Sequence, residues 1–193
     1  DLKINDSILY KIDSIALNAI QEKAMPGCQI LAAKNGHVFF NKSFGRHTYD
    51  SNSIKVTNNS IYDLASITKI ISSAFAIMKM ESKKQFNVDS TLGYYLPKLL
   101  DSSEYKNLII KDVLTHQAGL VPWIPFFFKT LDDGKPSYKI YSKLPSSIHQ
   151  NRVAEDLYIL NSYRDSIFKR ILDTKILERK KYKYSDLGYY FLN

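Results

Sequence analysis

The first apolar rhythm in the chain is helical. Ile8, Leu9, Ile12, Ile15, Ala16, Ala19 and Ile20 recur at helical spacing, which places them on one face of an amphipathic helix from about Asp6 to Lys23. Asp6 or Ser7 is suited to cap it, and Pro26-Gly27 ends it. The period then changes. Cys28 to Ala33 and His37 to Gly45 read as strands on either side of Lys34-Asn35-Gly36. An Asn-Gly between two such runs is a hairpin signal, because both residues tolerate the positive φ that the tight turn needs. A polar connection, residues 46–60, leads into Ile61-Tyr62-Asp63.

Beyond Lys69 the apolar residues are Ile70, Ile71, Ala74, Phe75, Ile77, Met78 and Met80. They wrap most of a helix rather than one stripe, which predicts a helix buried in the middle of a domain. Phe86 to Leu100 reads as a short helix and turn, and Leu108 to His116 as a further helix stopped by Gly119. Trp123 to Phe128 is an aromatic patch. Leu131 to Ser147, rich in Gly, Pro, Ser and Lys, predicts a long loop. Helical spacing returns from about Ala154 to Lys175 at Leu157, Leu160, Ile167, Phe168, Ile171 and Leu172. No internal repeat, low-complexity segment or domain boundary interrupts the sequence, so residues 1–193 read as one domain.

Composition narrows the field. The hydrophobic share of 45% and charged share of 24% are those of an ordinary soluble globular protein. The net charge of +8 would suit an anionic partner. Its basic residues are scattered, however, and the dense run Arg179-Lys180-Lys181-Tyr182-Lys183 reads as a solvated face, so no nucleic-acid partner is expected. A single cysteine, Cys28, leaves no intrachain disulfide and no cysteine-based metal site. It reads as a buried structural thiol. The four histidines are dispersed without zinc spacing, and no apolar run is long enough for a membrane span. Asp1 to Ile4 has no signal-peptide pattern.

The candidate chemistry lies in Asp63-Leu64-Ala65-Ser66-Ile67-Thr68-Lys69. A Ser at the first turn of a helix and a Lys three residues on share one face. The unpaired N–H groups of a helix start would stabilise negative charge developing near Ser66. A nucleophilic Ser needs a neighbouring base and oxyanion donors, and this segment begins to supply both. The spacing alone is weak, since it recurs at Ser103-Lys106 and Ser166-Lys169. The setting before an apolar helix distinguishes the first copy.

Three segments then fall in order: Ser66-Ile67-Thr68-Lys69, Leu114-Thr115-His116-Gln117-Ala118-Gly119-Leu120 and Tyr184-Ser185-Asp186-Leu187-Gly188-Tyr189. In this order they resemble the serine beta-lactamase and penicillin-binding-protein superfamily, specifically its class C beta-lactamase-like hydrolases and esterases, whose nucleophile motif is Ser-x-x-Lys. The resemblance covers essentially the whole chain. It implies an α+β, transpeptidase-like fold, mostly helical, with the N-terminal helix and antiparallel hairpin at 6–45 and a helical region at 61–193.

By that resemblance Ser66 would attack an ester, amide or peptide carbonyl and form an acyl-enzyme. Lys69 would help to take its proton, Tyr184 would be the second proton carrier, and the Ser66 N–H would form half of the oxyanion hole. His116 would shape its turn rather than react. Asp186 stands where the family usually has Asn; a carboxylate only accepts and adds negative charge, which would raise the pKa of Lys69 and puts beta-lactam hydrolysis in doubt. Asp186 and Trp123 are the substrate-binding candidates. No metal or organic cofactor is implied. The family's Lys- or His-x-Gly motif and its remaining sheet strands are expected beyond Asn193, so impaired activity is expected of the chain as it stands. The partner implied is a small-molecule or peptide substrate, with self-association through open hairpin edges, and export to the periplasm. A competing reading is a non-catalytic binding or scaffold module, with Trp123, Phe126, Phe127 and Phe128 lining a groove.

Overall fold

The computed structural model describes residues 4–192, the side chain of Asp6 excepted; the termini and the Asp6 capping candidate lie outside the described residues. The opening amphipathic pattern forms helix α1 (Asp6–Gln21), whose N-cap is Asn5, one residue ahead of the candidates. The Asn5 side chain accepts from Ser7 N–H at 3.0 Å and from Ser7 Oγ at 2.6 Å, satisfying a donor that the helix start leaves open. Strands β1 (Gly27–Lys34) and β2 (His37–Gly45) pair antiparallel, with Lys34 opposite His37. The turn between them is Asn35-Gly36, at φ 52° and 77°, as the Asn-Gly signal requires. The register slips between Ala32 and Ala33, a bulge. Ala16, Phe40 and Val56 are buried in this part of the chain. Cys28 is half-buried, and burial pushes its thiol pKa up.

The contacts divide the chain into two units, one ending at Asp63 and the other beginning at Leu64. The second holds the larger core. A π-helical turn (Lys69–Ala74) runs into α2 (Phe75–Ser82). Short helices α3 (Leu92–Tyr95), α4 (Pro97–Leu100) and α5 (Ile110–Leu114) follow. The core gathers Leu92, Leu100, Tyr105, Leu108, Ile110 and Val113 with Phe168, Ile171, Leu187 and Phe191 from the C-terminal part. Buried Tyr105 ties those parts together, its hydroxyl donating to Ile171 O at 3.0 Å and lying 2.6 Å from Thr174 Oγ1.

Four expectations need correction. The helix after Lys69 is not enclosed: Ser73 and Ile77 are its buried residues, while Ile70, Ile71, Phe75 and Met78 are each more than half exposed. The helix before Gly119 is shorter than Leu108 to His116, because Ile109 is extended and His116 already turns to φ 58°. Leu131 to Ser147 is not a plain loop. It holds β3 (Leu131–Asp132) and β4 (Lys135–Pro136), paired around Asp133-Gly134, and the short strand β5 (Tyr141–Ser142). The helix expected from Ala154 begins late: β6 (Asn151–Ala154) and β7 (Leu157–Ile159) form a sheet with β5 in the order β5-β7-β6, and helix α6 is Tyr163–Leu172. Asp156 at φ 48° makes the Glu155-Asp156 reversal that takes Leu157 out of helical register.

Candidate active site

Ala65 begins the site. At φ 43° it sits in the left-handed region, and the chain closes at once into a tight turn. Ile67 N–H donates to Leu64 O (2.9 Å), Thr68 N–H to Ala65 O (3.1 Å) and Lys69 N–H to Ser66 O (3.1 Å). From Lys69 the winding loosens into the π turn, a departure from α geometry that recurs at functional sites. Lys69 Nζ donates to Ser66 Oγ at 2.9 Å. The other copies of the spacing differ in use. Ser103 accepts from Tyr105 N–H at a helix start while Lys106 donates to Asp101 O, and Ser166 and Lys169 lie within α6.

The C-terminal motif arrives alongside the Leu114–Gly119 segment through a row of hydrogen bonds. Lys183 N–H donates to His116 O (2.8 Å), Lys180 N–H to Gln117 O (2.8 Å), Leu177 N–H to Gly119 O (2.7 Å) and Asp186 N–H to Pro122 O (2.8 Å). Ser185 Oγ donates to Val121 O at 2.6 Å, and Tyr189 Oη to Leu114 O at 3.1 Å. This lacing brings Asp186 Oδ1 to 2.8 Å from Lys69 Nζ. Oδ1 is buried, and the charge of Lys69 compensates it. The ring centroids of Tyr184 and Tyr189 lie 5.5 and 6.0 Å from the same ammonium.

The electrostatics follow from these neighbours. Burial pushes the Lys69 pKa down, but Asp186 and Tyr184 together outweigh it and hold it above the ordinary lysine value. Lys69 therefore rests as an ammonium. Burial raises Tyr189 and Tyr190 and lowers His116.

Ala65, Thr68, Lys69, Ser73, Asp186, Tyr189 and Tyr190 line a cavity of about 240 Å³ beside Ser66. A second cavity, of about 300 Å³, is lined by Trp123, Phe126, Phe127, Leu187 and again Asp186 and Tyr190. The structure thus brings Ser66, Lys69, Tyr184 and Asp186 together and sets Trp123 in the adjoining cavity, 59% exposed. Sequence reasoning missed Tyr189 and Tyr190 as lining residues; their position just after the Tyr-Ser-Asp segment was the available signal.

The Beta-lactamase family model matches residues 12–193. The chain belongs to the beta-lactamase family. The beta-lactamase relationship is also visible in individual relatives. The chain is 30% identical over 118 residues to Protein flp of Staphylococcus aureus (strain NCTC 8325 / PS 47), covering 60% of this chain and 23% of that protein. It is 30% identical over 122 residues to a putative D-alanyl-D-alanine carboxypeptidase of Salmonella paratyphi A, covering 58% of this chain and 28% of the relative. A solved class C beta-lactamase superposes with a TM-score of 0.65 at 17% identity, over all of this chain and 44% of that structure. The chain thus spans about a quarter of the length of these two curated relatives and under half of the solved structure. Among the described residues no helix is long and apolar enough to cross a membrane.

Proposed function

We propose that the protein carrying this chain is a serine hydrolase that cleaves an ester, amide or peptide carbonyl through an acyl-enzyme on Ser66. The observation that carries the reading is the contact of Lys69 Nζ with Ser66 Oγ at 2.9 Å, with Lys69 and Asp186 lining the cavity next to it. A serine hydroxyl is a weak nucleophile unless a base stands within hydrogen-bond reach. Lys69 meets that distance requirement but rests protonated, so it must first shed a proton; the amine then accepts the Ser66 hydroxyl proton as Oγ bonds to the carbonyl carbon. Collapse of the tetrahedral intermediate expels the leaving group, which takes a proton from Tyr184, and the Lys69 ammonium returns one to Tyr184. Water then adds to the acyl carbon as Lys69 takes its proton, and that proton passes to Ser66 Oγ as the acid is released. The Ser66 N–H is assigned to the oxyanion.

Asp186 sets the working pH. By holding Lys69 charged it defers activity to the alkaline side, where the amine is free. The aromatic cavity holding Trp123 adjoins Asp186 and Tyr190, and we assign it to an apolar part of the substrate. The relative named as a D-alanyl-D-alanine carboxypeptidase favours a peptide carbonyl, and a protein handling such substrates would be exported. Chromogenic nitrophenyl esters test the scheme. An initial burst of nitrophenol equal to the enzyme present is expected, because acylation precedes slower hydrolysis. A linear time course without a burst, unchanged by Ser66→Ala, would point instead to a binding module.

A further inference from the structure

The chemistry above does not use His116, yet its ring stands at the junction of both motif segments. Its backbone is pinned at φ 58°, with His116 N–H donating to Val113 O at 3.2 Å and Lys183 N–H donating to His116 O at 2.8 Å. Its Nδ1 accepts from Ser185 N–H at 3.2 Å. The ring packs on Tyr184 at a centroid distance of 4.3 Å, on Tyr189 at 5.6 Å and on Tyr182 at 6.0 Å. Ser185 N–H belongs to the Tyr184–Ser185 peptide, so one imidazole nitrogen holds the backbone next to Tyr184 and one residue ahead of Asp186.

We propose that neutral His116 is a positioning residue: its unprotonated Nδ1 holds the Ser185 amide and so keeps Tyr184 and Asp186 in place around Lys69. The role in turnover rests on the Ser66 reading given above; the tether itself does not. An imidazole that accepts at Nδ1 carries its proton on Nε2. Protonation would put a second donor opposite Ser185 N–H, and the contact would be lost. The fold would survive, since Ser185 Oγ still donates to Val121 O and Asp186 N–H to Pro122 O. The charged and titratable groups facing the ring are Lys69, Asp186, Tyr182, Tyr184 and Tyr189. Burial, with Lys69 adding to it, depresses the His116 pKa against the pull of Asp186, and the Ser185 N–H, which only the neutral ring can accept, favours the same form. The tether therefore persists below the pH at which an ordinary histidine charges.

Two variants suit the left-handed backbone and differ in the acceptor. In His116→Asn an amide oxygen takes the place of Nδ1 and does not titrate; His116→Gly removes the acceptor. The readouts are the Ser185 backbone amide signal by 15N NMR across pH, and the rate of Ser66 labelling by a fluorophosphonate across the same range. In the unsubstituted protein the amide signal should move with the His116 midpoint, and labelling, which already falls as Lys69 charges, should fall more steeply below that midpoint. In His116→Asn the amide signal should no longer titrate and the added steepness should disappear, leaving the fall set by Lys69. His116→Gly should label about 10- to 100-fold more slowly while still melting cooperatively, the scale expected when reacting groups are displaced by about an ångström. A Ser185 amide indifferent to pH would overturn the tether. A labelling profile with the same steepness in the Asn variant and in the unsubstituted protein would overturn its role in positioning. A titrating amide in a protein that never labels would sustain the tether, refute the Ser66 reading and with it the catalytic half of the proposal.

Discussion

Lys69 lies between two oxygens that want different things from it. Ser66 Oγ, 2.9 Å away, needs an amine able to accept a proton; Asp186 Oδ1, 2.8 Å away, favours the ammonium. With Asp186 present the ammonium wins at neutral pH. Replacing Asp186 by Asn removes the charge and keeps the shape, so the alkaline limb of the pH–rate profile should move to lower pH, with little change at saturating alkalinity. A limb that stays in place would mean that Asp186 does not set the lysine's state. Lys69→Ala and Tyr184→Phe should each lower kcat/KM by about 10²- to 10⁴-fold, the usual reach of a positioned proton carrier. The Ser-x-x-Lys spacing made the contact of hydroxyl and ammonium possible, because three residues return a side chain to the same helix face, but Ser103 and Lys106 share the spacing and turn to other partners. The spacing could not show that Ala65 would be left-handed or that a π turn would follow, since an alanine carries no local signal for positive φ and the apolar run is that of an ordinary helix.

Among the elements, those with strong local rules were the readable ones. α1 follows from its apolar spacing and the first hairpin from Asn35-Gly36. The strands between Leu131 and Ile159 were not readable. Asp133-Gly134 is a hairpin pair, but the two-residue strands on either side of it are too short to display alternation, and Glu155-Asp156 carries no such signal. Packing between the motif segments leaves no spare room. A Cβ at Gly188 would lie 2.5 Å from Val113 Cγ1 and 3.2 Å from Leu120 Cδ1. Gly188→Ala should therefore destabilise the protein by about 1–3 kcal/mol through overpacking, measured by urea unfolding. Leu100→Ala, at a fully buried position, should cost about 2–5 kcal/mol. A neutral Gly188→Ala would mean that the α5 contact with the C-terminal segment is looser than described.

At the scale of the molecule, two titrating groups frame the stability. The folded pKa of His116 is depressed, so its contribution is present above about pH 6.5, the ordinary histidine value, and is lost as pH falls through the lower folded value. The folded pKa of Lys69 is raised, so its contribution is present below the ordinary lysine value and is lost as pH rises through the higher folded one. The Tm should fall on the acid side in the unsubstituted protein and fall less in His116→Asn; an equal decline in both would remove His116 from that account. Helical periodicity predicted burial around Phe75 and Met78, and the structure leaves both exposed. Periodicity reports which faces are apolar, not what stands against them. The central claim concerns Ser66 and is tested most directly by intact-mass spectrometry after incubation with a fluorophosphonate and, separately, with a beta-lactam. One adduct per molecule that disappears in Ser66→Ala is the expected result; no adduct from either reagent, or one that survives in Ser66→Ala, would contradict it.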